Sequence, residues 1–466
     1  SMNRRALFLV IAATMITGLI AVAQPAPAPE TETDPAVLQK LQWFQDQKFG
    51  FMMHWGPYSQ WGVVESWSLC SEDEPWCERR MDNYVDYCKA YEELPRTFNP
   101  VSFDPDAWAA AARDAGMKYL VFTTKHHDGF CMFDTKQTAY RITDPAVPFH
   151  TNPRANVTKE IFSSFRKQGF GIGAYFSKPD WHSPHYWAPY WAHADRNVNY
   201  DITKHPDRWK AFVAFTHAQI EELMTGYGPI DILWLDGGWV NPGNKKQDVN
   251  MPAIAAMSRS HNPGMIVVDR AVPGRYENYR TPEQEVPERP LSYPWETCMT
   301  MGNSWSYVPN DSYKPTNRLI HLLVDIVAKG GNFLLNVGPD AQGNLPQTAL
   351  LRMKEMGNWL KVNGDAIYKT RPVAPYKEGK MCYTRSAGGA INAIYLADAS
   401  EKEVPASIWL QGISAKPGST IRMMGVREPL VWEKNGKGVL IRIPSALSRK
   451  PPCEHAWSFV VEQPIL

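Results

Sequence analysis

The sequence predicts a large (β/α)8-like barrel followed by a small antiparallel β-sandwich. From about residue 40 to 366, short apolar runs alternate with amphipathic helical segments, and repeated strand–helix units of this length build a parallel sheet. From Met381 onward the pattern changes to short alternating strands separated by turns, which is typical of a sandwich. A chain of 466 residues is long enough for such a core and a satellite domain.

The predicted barrel strands and helices follow one another in order. The apolar runs lie at 49–56, 119–124, 171–176, 231–236, 265–270 and 332–338, and the helical segments at 105–116, 158–169, 206–228, 317–330 and 346–362. The helical segments begin near residues that cap helices, and the first four end at Gly. One or two helices of an irregular barrel are expected to be missing. A doubly wound sheet is the alternative, but no GxGxxG follows the first strand.

The chain divides into four predicted segments: a signal peptide (1–23), a flexible leader (24–39), the barrel (40–372) and the sandwich (373–466). Ser1 is interpreted as an addition before Met2. Arg4 and Arg5 precede an apolar run that ends in a small-x-small cleavage pattern at Ala23. We therefore expect an exported protein, periplasmic or secreted, without a membrane span.

Composition narrows the class of function. The net charge is +1 without long blocks of like charge, so nucleic acid is not an expected partner. The 18 Trp, 20 Tyr and 18 Phe residues indicate either a large aromatic core or platforms for the apolar face of a sugar. Seven cysteines allow disulfides but leave at least one unpaired, and Cys70 and Cys77 are candidates for a short disulfide loop. No CxxC pair suggests zinc, and no cofactor is expected.

Polar side chains follow five of the predicted strands. In a barrel of this class, the chemistry lies at the carboxyl ends of the strands. Five polar strand ends in succession therefore predict a shared concave site. The residues are His54, Lys125, His126, His127, Asp128, Tyr175, Asp180, Trp181, Trp234, Asp236, Asp269 and Arg270.

Each of these residues also has a structural interpretation. Asp236 could be a helix N-cap, or a carboxylate able to reach a reacting carbon beside flexible glycines. His126 and His127 are adjacent, and adjacent strand residues point to opposite faces, so a shared metal ion is disfavoured. Hydrogen bonding to substrate hydroxyls is the expected role of the two histidines. Lys125 could be only an ion-pair partner, and Asp128 could fix the tautomer of a histidine.

Carboxylates from separate loops of a neutral, Trp-rich, exported barrel indicate glycoside hydrolysis. That reaction needs one ionised carboxylate and one protonated carboxyl, and Asp236 is the candidate nucleophile. Spacing alone does not choose the acid within the loop after Arg270, which holds Glu277, Glu283, Glu285 and Glu288. The rival interpretations are a catalytically silent sugar-binding protein and a metal-dependent barrel hydrolase.

Six motifs together resemble glycoside hydrolase family 29, the retaining α-L-fucosidases. They occur in order between about residues 48 and 372, and the C-terminal sandwich fits the same family. The motifs are KFGFMMHWGPYS, KYLVFTTKHHDGFCMFDT, GIGAYFSKPDW, ILWLDGGW, WETCMTMGNSWSY and LLVDIVAKGGNFLLNVGPDAQGNLP.

The resemblance implies an exo-acting enzyme that removes terminal α-linked L-fucose from an oligosaccharide or glycoconjugate. Asp236 then corresponds to the nucleophile, and Glu283 is the first candidate for the acid/base. Glu296 comes next, with Glu285 and Glu277 behind. The substrate-binding residues implied are His54, Glu65, Trp67, His126, His127, Tyr175, Trp234, Arg270 and Glu296.

Two positions depart from the family pattern. Ser66 separates Glu65 from Trp67, where the family often has an acidic residue directly before Trp. Met52 stands two residues before His54, where many members have an aromatic residue against the sugar methyl group. A softer methionine wall is expected to relax selection for that methyl group, so a related sugar such as a galactoside is the alternative substrate.

Overall fold

The computed structural model describes residues 30–70, 77, 79, 81–188 and 195–466. The predicted signal peptide and the first part of the leader lie outside the described residues. The leader prediction is wrong at its end, because helix α1 (Pro35–Gln47) already begins there. The Asp34 side chain accepts a hydrogen bond from the Ala36 backbone N–H and caps this helix.

Seven parallel strands form the main sheet in the order β5-β4-β3-β2-β1-β7-β6. The strands follow chain order around the sheet from β1 to β5, and β7 and β6 continue it on the other side of β1. This is the order of a singly wound barrel, whereas the strand order of a doubly wound sheet reverses at its centre. The barrel prediction is therefore confirmed. The strands are β1 (Phe49–Met53), β2 (Tyr119–Lys125), β3 (Gly171–Ser177), β4 (Ile232–Asp236), β5 (Ile266–Asp269), β6 (Glu296–Thr300) and β7 (Asn332–Val337).

Helices cover the outside of the barrel, so its strands are buried on both faces. No helix among the described residues is long and apolar enough to cross a membrane. The helices after α1 are α2 (Tyr84–Glu92), α3 (Pro105–Asp114), α4 (Val157–Lys167), α5 (Pro206–Gly226), α6 (Met251–His261), α7 (Thr316–Ala328) and α8 (Gln347–Asn363).

The barrel lacks a regular strand between β5 and β6, and an extended segment, 277–283, lies in that gap. Isolated bridges connect Glu277 to Val268 of β5, and Glu283 to Cys298 of β6. This segment takes the place of an eighth strand. Strand β6 was not among the predicted strands, because it carries Glu296 and Thr300 and so lacks an apolar run.

Alternation along the strands decides which side chains enter the barrel. Ile232 and Trp234 of β4 belong to the inner core, so Asp236, two residues further on, faces the same side. Helix α1 closes the amino-terminal end, where Phe44 stacks on Tyr279 with ring centroids 4.1 Å apart. The barrel is therefore open to substrate at its carboxyl end.

The C-terminal domain is a sandwich, as predicted, and it begins at Arg371 rather than at residue 373. A five-stranded sheet (β13-β16-β10-β9-β8) and a three-stranded sheet (β11-β15-β14) enclose one hydrophobic core. Its elements are β8 (Arg371–Glu378), β9 (Met381–Arg385), β10 (Ile391–Leu396), β11 (Ser407–Leu410), β12 (Ser414–Ala415), β13 (Ile421–Met423), β14 (Trp432–Asn435), β15 (Gly438–Arg442), α9 (Ser445–Arg449), β16 (Ala456–Val461) and β17 (Pro464–Ile465).

Candidate active site

A pocket of about 520 Å³ opens at the carboxyl end of the barrel. Of the nucleophile, the first acid/base candidate and the substrate-binding residues implied by the family resemblance, all line it except Glu296. Five of the predicted polar strand-end residues do not line it: Lys125, Asp128, Asp180, Trp181 and Asp269. Trp305, Trp239, Arg196 and Cys298 also line the pocket and were not predicted. Its lining includes Met52, His54, Glu65, Trp67, His126, His127, Tyr175, Trp234, Asp236, Arg270 and Glu283.

Asp236 is held as a carboxylate at the end of β4. The Tyr175 hydroxyl donates to Oδ2 at 2.7 Å, and the Arg270 guanidinium donates to Oδ1 at 3.1 Å. Burial opposes ionisation, but the charge of Arg270 and the hydrogen bond from Tyr175 hold the pKa of Asp236 well below its usual range. Asp236 is therefore ionised at neutral pH.

The turn after Asp236 requires glycine. Gly237 has a φ of +91°, and a Cβ there would lie 2.3 Å from a Pro179 side-chain atom. Asp236 is not a helix cap, because the cap of α6 is Asn250. The turn instead exposes the end of β4 to the pocket.

Glu283 lies on the other side of the same guanidinium. Arg270 Nη2 is 3.3 Å from Glu283 Oε1, and the Glu283 side chain is half exposed. The next residue, Gln284, anchors the chain that carries Glu283, and it has a left-handed φ of +57°. Gln284 Nε2 donates to the Thr300 hydroxyl at 2.9 Å, and Gln284 Oε1 accepts from the Thr300 amide at 3.0 Å. Two carboxylates thus meet at one cation, one buried and one at the pocket edge.

His126 and His127 both line the pocket, although they are adjacent in sequence. The chain leaves β2 at Lys125, so strand alternation no longer applies, and the rings lie 4.1 Å apart between centroids. The argument that the two must face opposite sides is wrong for this reason. Burial lowers the pKa of His127 and of His54 to about 4 and that of His126 well below its usual value. All three are neutral at pH 7.

Neighbouring side chains orient the histidines. Asn336 donates from Nδ2 to the Trp305 carbonyl, so its Oδ1 accepts from His54 Nδ1 at 2.7 Å. His54 Nε2 is left as a hydrogen-bond acceptor. Ser66 Oγ lies 2.6 Å from His126 Nδ1. Ser66, the residue that departs from the family pattern, therefore orients His126.

The suggestion that Asp128 fixes a histidine tautomer is wrong. Its carboxylate accepts from the Tyr91 hydroxyl at 2.6 Å and from the Phe130 amide at 3.0 Å. The Asp128 amide donates to Ser66 Oγ at 2.9 Å. Asp128 therefore supports the loop, and Ser66 makes the contact with the histidine.

His126, His127 and Asp236 form a group whose ligand atoms lie within 4.8 Å of one another. Both oxygens of Asp236 already accept hydrogen bonds from Tyr175 and Arg270. A divalent cation here would also lie beside the guanidinium charge. The donor set therefore suits a neutral, hydroxyl-bearing ligand better than a metal ion.

Glu65 reaches the pocket despite the inserted Ser66. It has a φ of +30°, and its Oε1 accepts from the Ser306 amide at 2.8 Å. Burial, opposed by that hydrogen bond and assisted by the charges of Glu283 and Asp236, raises the pKa of Glu65 to about 8. Glu65 is thus a neutral hydrogen-bond donor at pH 7.

We expect the ionisation of Glu65 to limit activity at alkaline pH. Below about pH 8 the side chain is neutral, and above it Glu65 adds a negative charge to a pocket that already holds the ionised Asp236. The kcat/KM for an activated aryl glycoside should therefore fall with a midpoint near pH 8. A Glu65→Gln variant stays neutral and should lose this alkaline limb, whereas Glu65→Asp should keep one. An unchanged limb in Glu65→Gln would assign it to another group.

The prediction that Glu296 binds substrate is wrong, and so is its candidacy as acid. Its carboxylate is fully buried inside the barrel. It accepts hydrogen bonds from Tyr119 at 2.6 Å, Trp234 at 3.1 Å and Tyr279 at 3.2 Å. Burial raises its pKa to about 7. Glu296 supports the pocket wall through Trp234 and does not line the pocket.

We expect Glu296→Gln to reduce stability rather than chemistry. An amide group in place of one oxygen leaves at least one buried donor without an acceptor, at a cost of about 1–3 kcal/mol. The thermal midpoint should fall by a few degrees, with kcat on an aryl fucoside changed less than about tenfold. A loss of kcat like that of an Asp236 variant would contradict this role. Glu283→Gln, at a half-exposed position, is the matched control.

Other polar strand ends are structural. Lys125 Nζ pairs with Asp180 at 3.0 Å outside the pocket, as the ion-pair interpretation held. Lys178 Nζ contacts Asp269 at 2.5 Å and the Val240 carbonyl at 2.8 Å. These buried pairs hold the loops that carry the pocket residues.

Aromatic rings complete the pocket wall. Trp181 is buried behind the wall, against His127 and Trp67. Trp239 lies 5.2 Å from His127 between ring centroids, and Trp305 lies 5.3 Å from His54. Both unpredicted tryptophans belong to motifs recognised in the sequence: Trp239 to ILWLDGGW and Trp305 to WETCMTMGNSWSY. The motifs could therefore have indicated them as pocket residues, whereas their distance from the strand ends could not.

The cysteine prediction stays open. Cys70 and Cys77 are both buried, and most of the loop between them lies outside the described residues. Cys298 belongs to the active site, where the Arg270 guanidinium donates to its sulfur at 3.6 Å. Burial raises the pKa of Cys298 to about 12, so it is a neutral thiol that packs against the arginine.

Fold and site together define a class of protein. A barrel with an ionised carboxylate in a pocket, a second carboxyl group at the pocket edge, neutral histidines and aromatic walls is a glycoside hydrolase.

Comparison with known proteins identifies the family. The family described as Alpha-L-fucosidase matches residues 20–365. The tissue alpha-L-fucosidase of Bos taurus is 28% identical over 445 residues, covering 89% of this chain and 87% of the relative. The chain therefore belongs to the α-L-fucosidase family, and the resemblance found from the motifs is confirmed.

Solved structures agree with this assignment. Alpha-L-fucosidase isoenzyme 1 from Paenibacillus thiaminolyticus has a TM-score of 0.75 and 30% identity, covering 92% of this chain and 100% of that one. Thermotoga maritima alpha-fucosidase in complex with fucose has a TM-score of 0.70 and 26% identity, covering 90% and 96%.

Proposed function

We propose that this protein is an exported, exo-acting enzyme that releases terminal α-linked L-fucose from oligosaccharides or glycoconjugates with retention of configuration. The observation that carries the proposal is the placement of Asp236 and Glu283 at the two arms of Arg270, 3.1 Å and 3.3 Å from its nitrogens. Retention requires two carboxyl groups near one glycosidic bond, one of them ionised.

In the first step, Asp236 attacks the anomeric carbon and forms a glycosyl ester, while Glu283 donates a proton to the leaving oxygen. Arg270 and Tyr175 keep Asp236 ionised until it attacks. The Tyr175 hydroxyl remains within hydrogen-bond reach of the Asp236 oxygen as its charge is lost to the ester bond. In the second step, Glu283 takes a proton from water, which hydrolyses the ester.

The sugar is oriented by groups that are neutral at pH 7. His54 Nε2 accepts a hydrogen bond from a sugar hydroxyl, since Nδ1 donates to Asn336 Oδ1. His127 Nε2 lies 3.8 Å from Asp236 Oδ2, so it is near the reacting centre. Neutral imidazoles suit this role because cations here would weaken the nucleophile.

The shape of the pocket favours a terminal sugar. Its volume of about 520 Å³ is set into the end of the barrel, and Trp305 and Trp234 form walls for the apolar face of a ring. Met52 also lines it, and this flexible wall favours some tolerance at the methyl position. A galactoside is therefore included as a competing substrate.

The test is a panel of aryl α-L-fucoside, α-L-galactoside and β-D-galactoside, with the anomer of the first product followed by NMR. We expect the fucoside to be cleaved fastest and α-L-fucose to appear before β-L-fucose. Release of the β-anomer first, or a galactoside preference, would overturn the corresponding part of the proposal. Binding without turnover would indicate a silent sugar-binding protein.

Export is proposed from the basic start, apolar run and small-x-small pattern that end at Ala23. Expression of the natural chain followed by N-terminal sequencing should give a mature protein that begins at Gln24. Recovery of the uncleaved chain in the cytoplasm would contradict the proposal.

A further inference from the structure

A second groove, of about 550 Å³, lies directly beside the active-site pocket. Ala271 lines both cavities, so the two are adjacent. Pro282, on the chain next to the acid/base candidate Glu283, also lines the groove. The groove lining comprises Ala271, Pro273, Glu277, Arg280, Thr281, Pro282, Glu285, Val286, Pro287, Glu288, Leu291 and Tyr293.

We infer that this groove binds the sugar to which fucose is attached, and that it selects a neutral sugar over an acidic one. The inference rests on the proposed function. A general acid must lie within hydrogen-bond reach of the glycosidic oxygen, which leaves together with the departing sugar. Glu283 lines the pocket, and its chain neighbours Pro282 and Glu285 line the groove. We therefore expect the departing sugar on the groove side of Glu283.

The groove has the chemistry of a sugar site. Its apolar lining includes prolines and the ring of Tyr293, which is 39% exposed. The Arg280 guanidinium lies 4.3 Å from the centre of that ring. The contact with Arg280 holds the ring in place. The exposed part of the Tyr293 ring remains available to the C–H face of a sugar.

The floor of the groove is a buried carboxylate. The Glu277 side chain is only 4% exposed, and its Oε1 lies 3.3 Å from Arg280 Nε. That oxygen has no hydrogen bond within the described part of the chain. The ion pair with Arg280 offsets part of the cost of burying this carboxylate, and it holds the guanidinium beside Tyr293.

The charge of the groove sets the selectivity. Glu277, Glu285 and Glu288 face a single lining cation, Arg280. A sulfated or sialylated neighbour of fucose would meet this excess of negative charge, whereas neutral hydroxyls can donate to the carboxylates.

The experiment compares Tyr293→Ala with Tyr293→Phe on two substrates: an aryl α-L-fucoside and a neutral fucosyl disaccharide whose second sugar is an N-acetylhexosamine. We expect Tyr293→Ala to raise KM for the disaccharide by about five- to tenfold and to change kcat/KM for the aryl fucoside less than twofold. Tyr293→Phe keeps the ring and should behave as wild type. Trp409→Ala, at an aromatic residue 51% exposed on the sandwich, is the matched control.

A charge arm completes the test. On the same disaccharide carrying a sulfate ester, Glu288→Gln should raise kcat/KM about two- to fivefold, with no gain on the neutral one. If Tyr293→Ala lost the same activity on both substrates, or lost none on the disaccharide, the assignment of the groove to the second sugar would be wrong. If Glu288→Gln raised kcat/KM equally for the neutral and the sulfated disaccharide, the charge selectivity of the groove would be wrong. Absence of turnover of the aryl fucoside by the wild-type enzyme would instead refute the proposed function.

Discussion

Replacing Asp236 by glycine should reduce kcat on an aryl α-L-fucoside by about 10⁴-fold or more. The carboxylate supplies the bond to the anomeric carbon, and no other ionised group among the described residues receives both a tyrosine and an arginine hydrogen bond in this pocket. Fold stability should change little, because the side chain lies at the pocket floor and not in the apolar core. Far-UV circular dichroism and the thermal midpoint provide the check.

Azide gives this variant a distinctive signature. Loss of the side chain leaves space in which a small anion can attack the anomeric carbon beside Arg270, whose charge attracts it. Added azide should restore turnover and yield β-L-fucosyl azide, because a single displacement inverts the α configuration. Asp236→Asn fills the space and is the matched control that azide should not rescue. Near-normal activity of Asp236→Gly would exclude Asp236 as nucleophile.

Replacing Glu283 by alanine should affect substrates according to their leaving groups. Removing a general acid costs about 10²–10⁴-fold when the leaving group is a sugar hydroxyl. An activated aryl fucoside needs little protonation, so its first step should be much less affected and the glycosyl ester should accumulate. Rates measured over a series of aryl fucosides should depend more steeply on the leaving-group pKa than in wild type.

The azide product separates the two carboxyl groups. In Glu283→Ala, azide attacks the glycosyl ester formed with Asp236, so the product should be α-L-fucosyl azide, the opposite anomer from the Asp236→Gly product. Glu285→Ala, two residues further along the same loop and also exposed, is the matched control and should keep kcat on aryl fucosides. Equal losses on all leaving groups would assign the acid to another residue.

Local sequence pattern was sufficient for much of the fold. Strands buried on both faces give uninterrupted apolar runs, and this is why the runs at 119–124 and 171–176 were recognised as strands β2 and β3. Strand β6 escaped recognition, because Glu296 is satisfied by tyrosine and tryptophan donors from other strands. A buried carboxylate of this kind depends on partners that are far away in sequence.

In the active site too, some features follow from local sequence and others depend on residues that are distant in sequence. The position of Asp236 followed from its own strand, because alternation from Trp234 places it on the inner face. The neutrality of Glu65 depends on its burial, which outweighs the hydrogen bond from the distant Ser306 amide. The exclusion of Glu296 from the pocket depends on its three donors. Such environments are created only when the strands close into a barrel.

By itself, the sequence determined the strand–helix order, the sandwich, and the residue types that gather at the carboxyl ends of the strands, since these depend on neighbours along the chain. Tertiary structure alone decided which carboxyl groups share Arg270, that both His126 and His127 face the pocket, and that a groove lies beside the pocket at Ala271. Ionisation and contact are set by groups distant in sequence, so they exist only in the folded barrel.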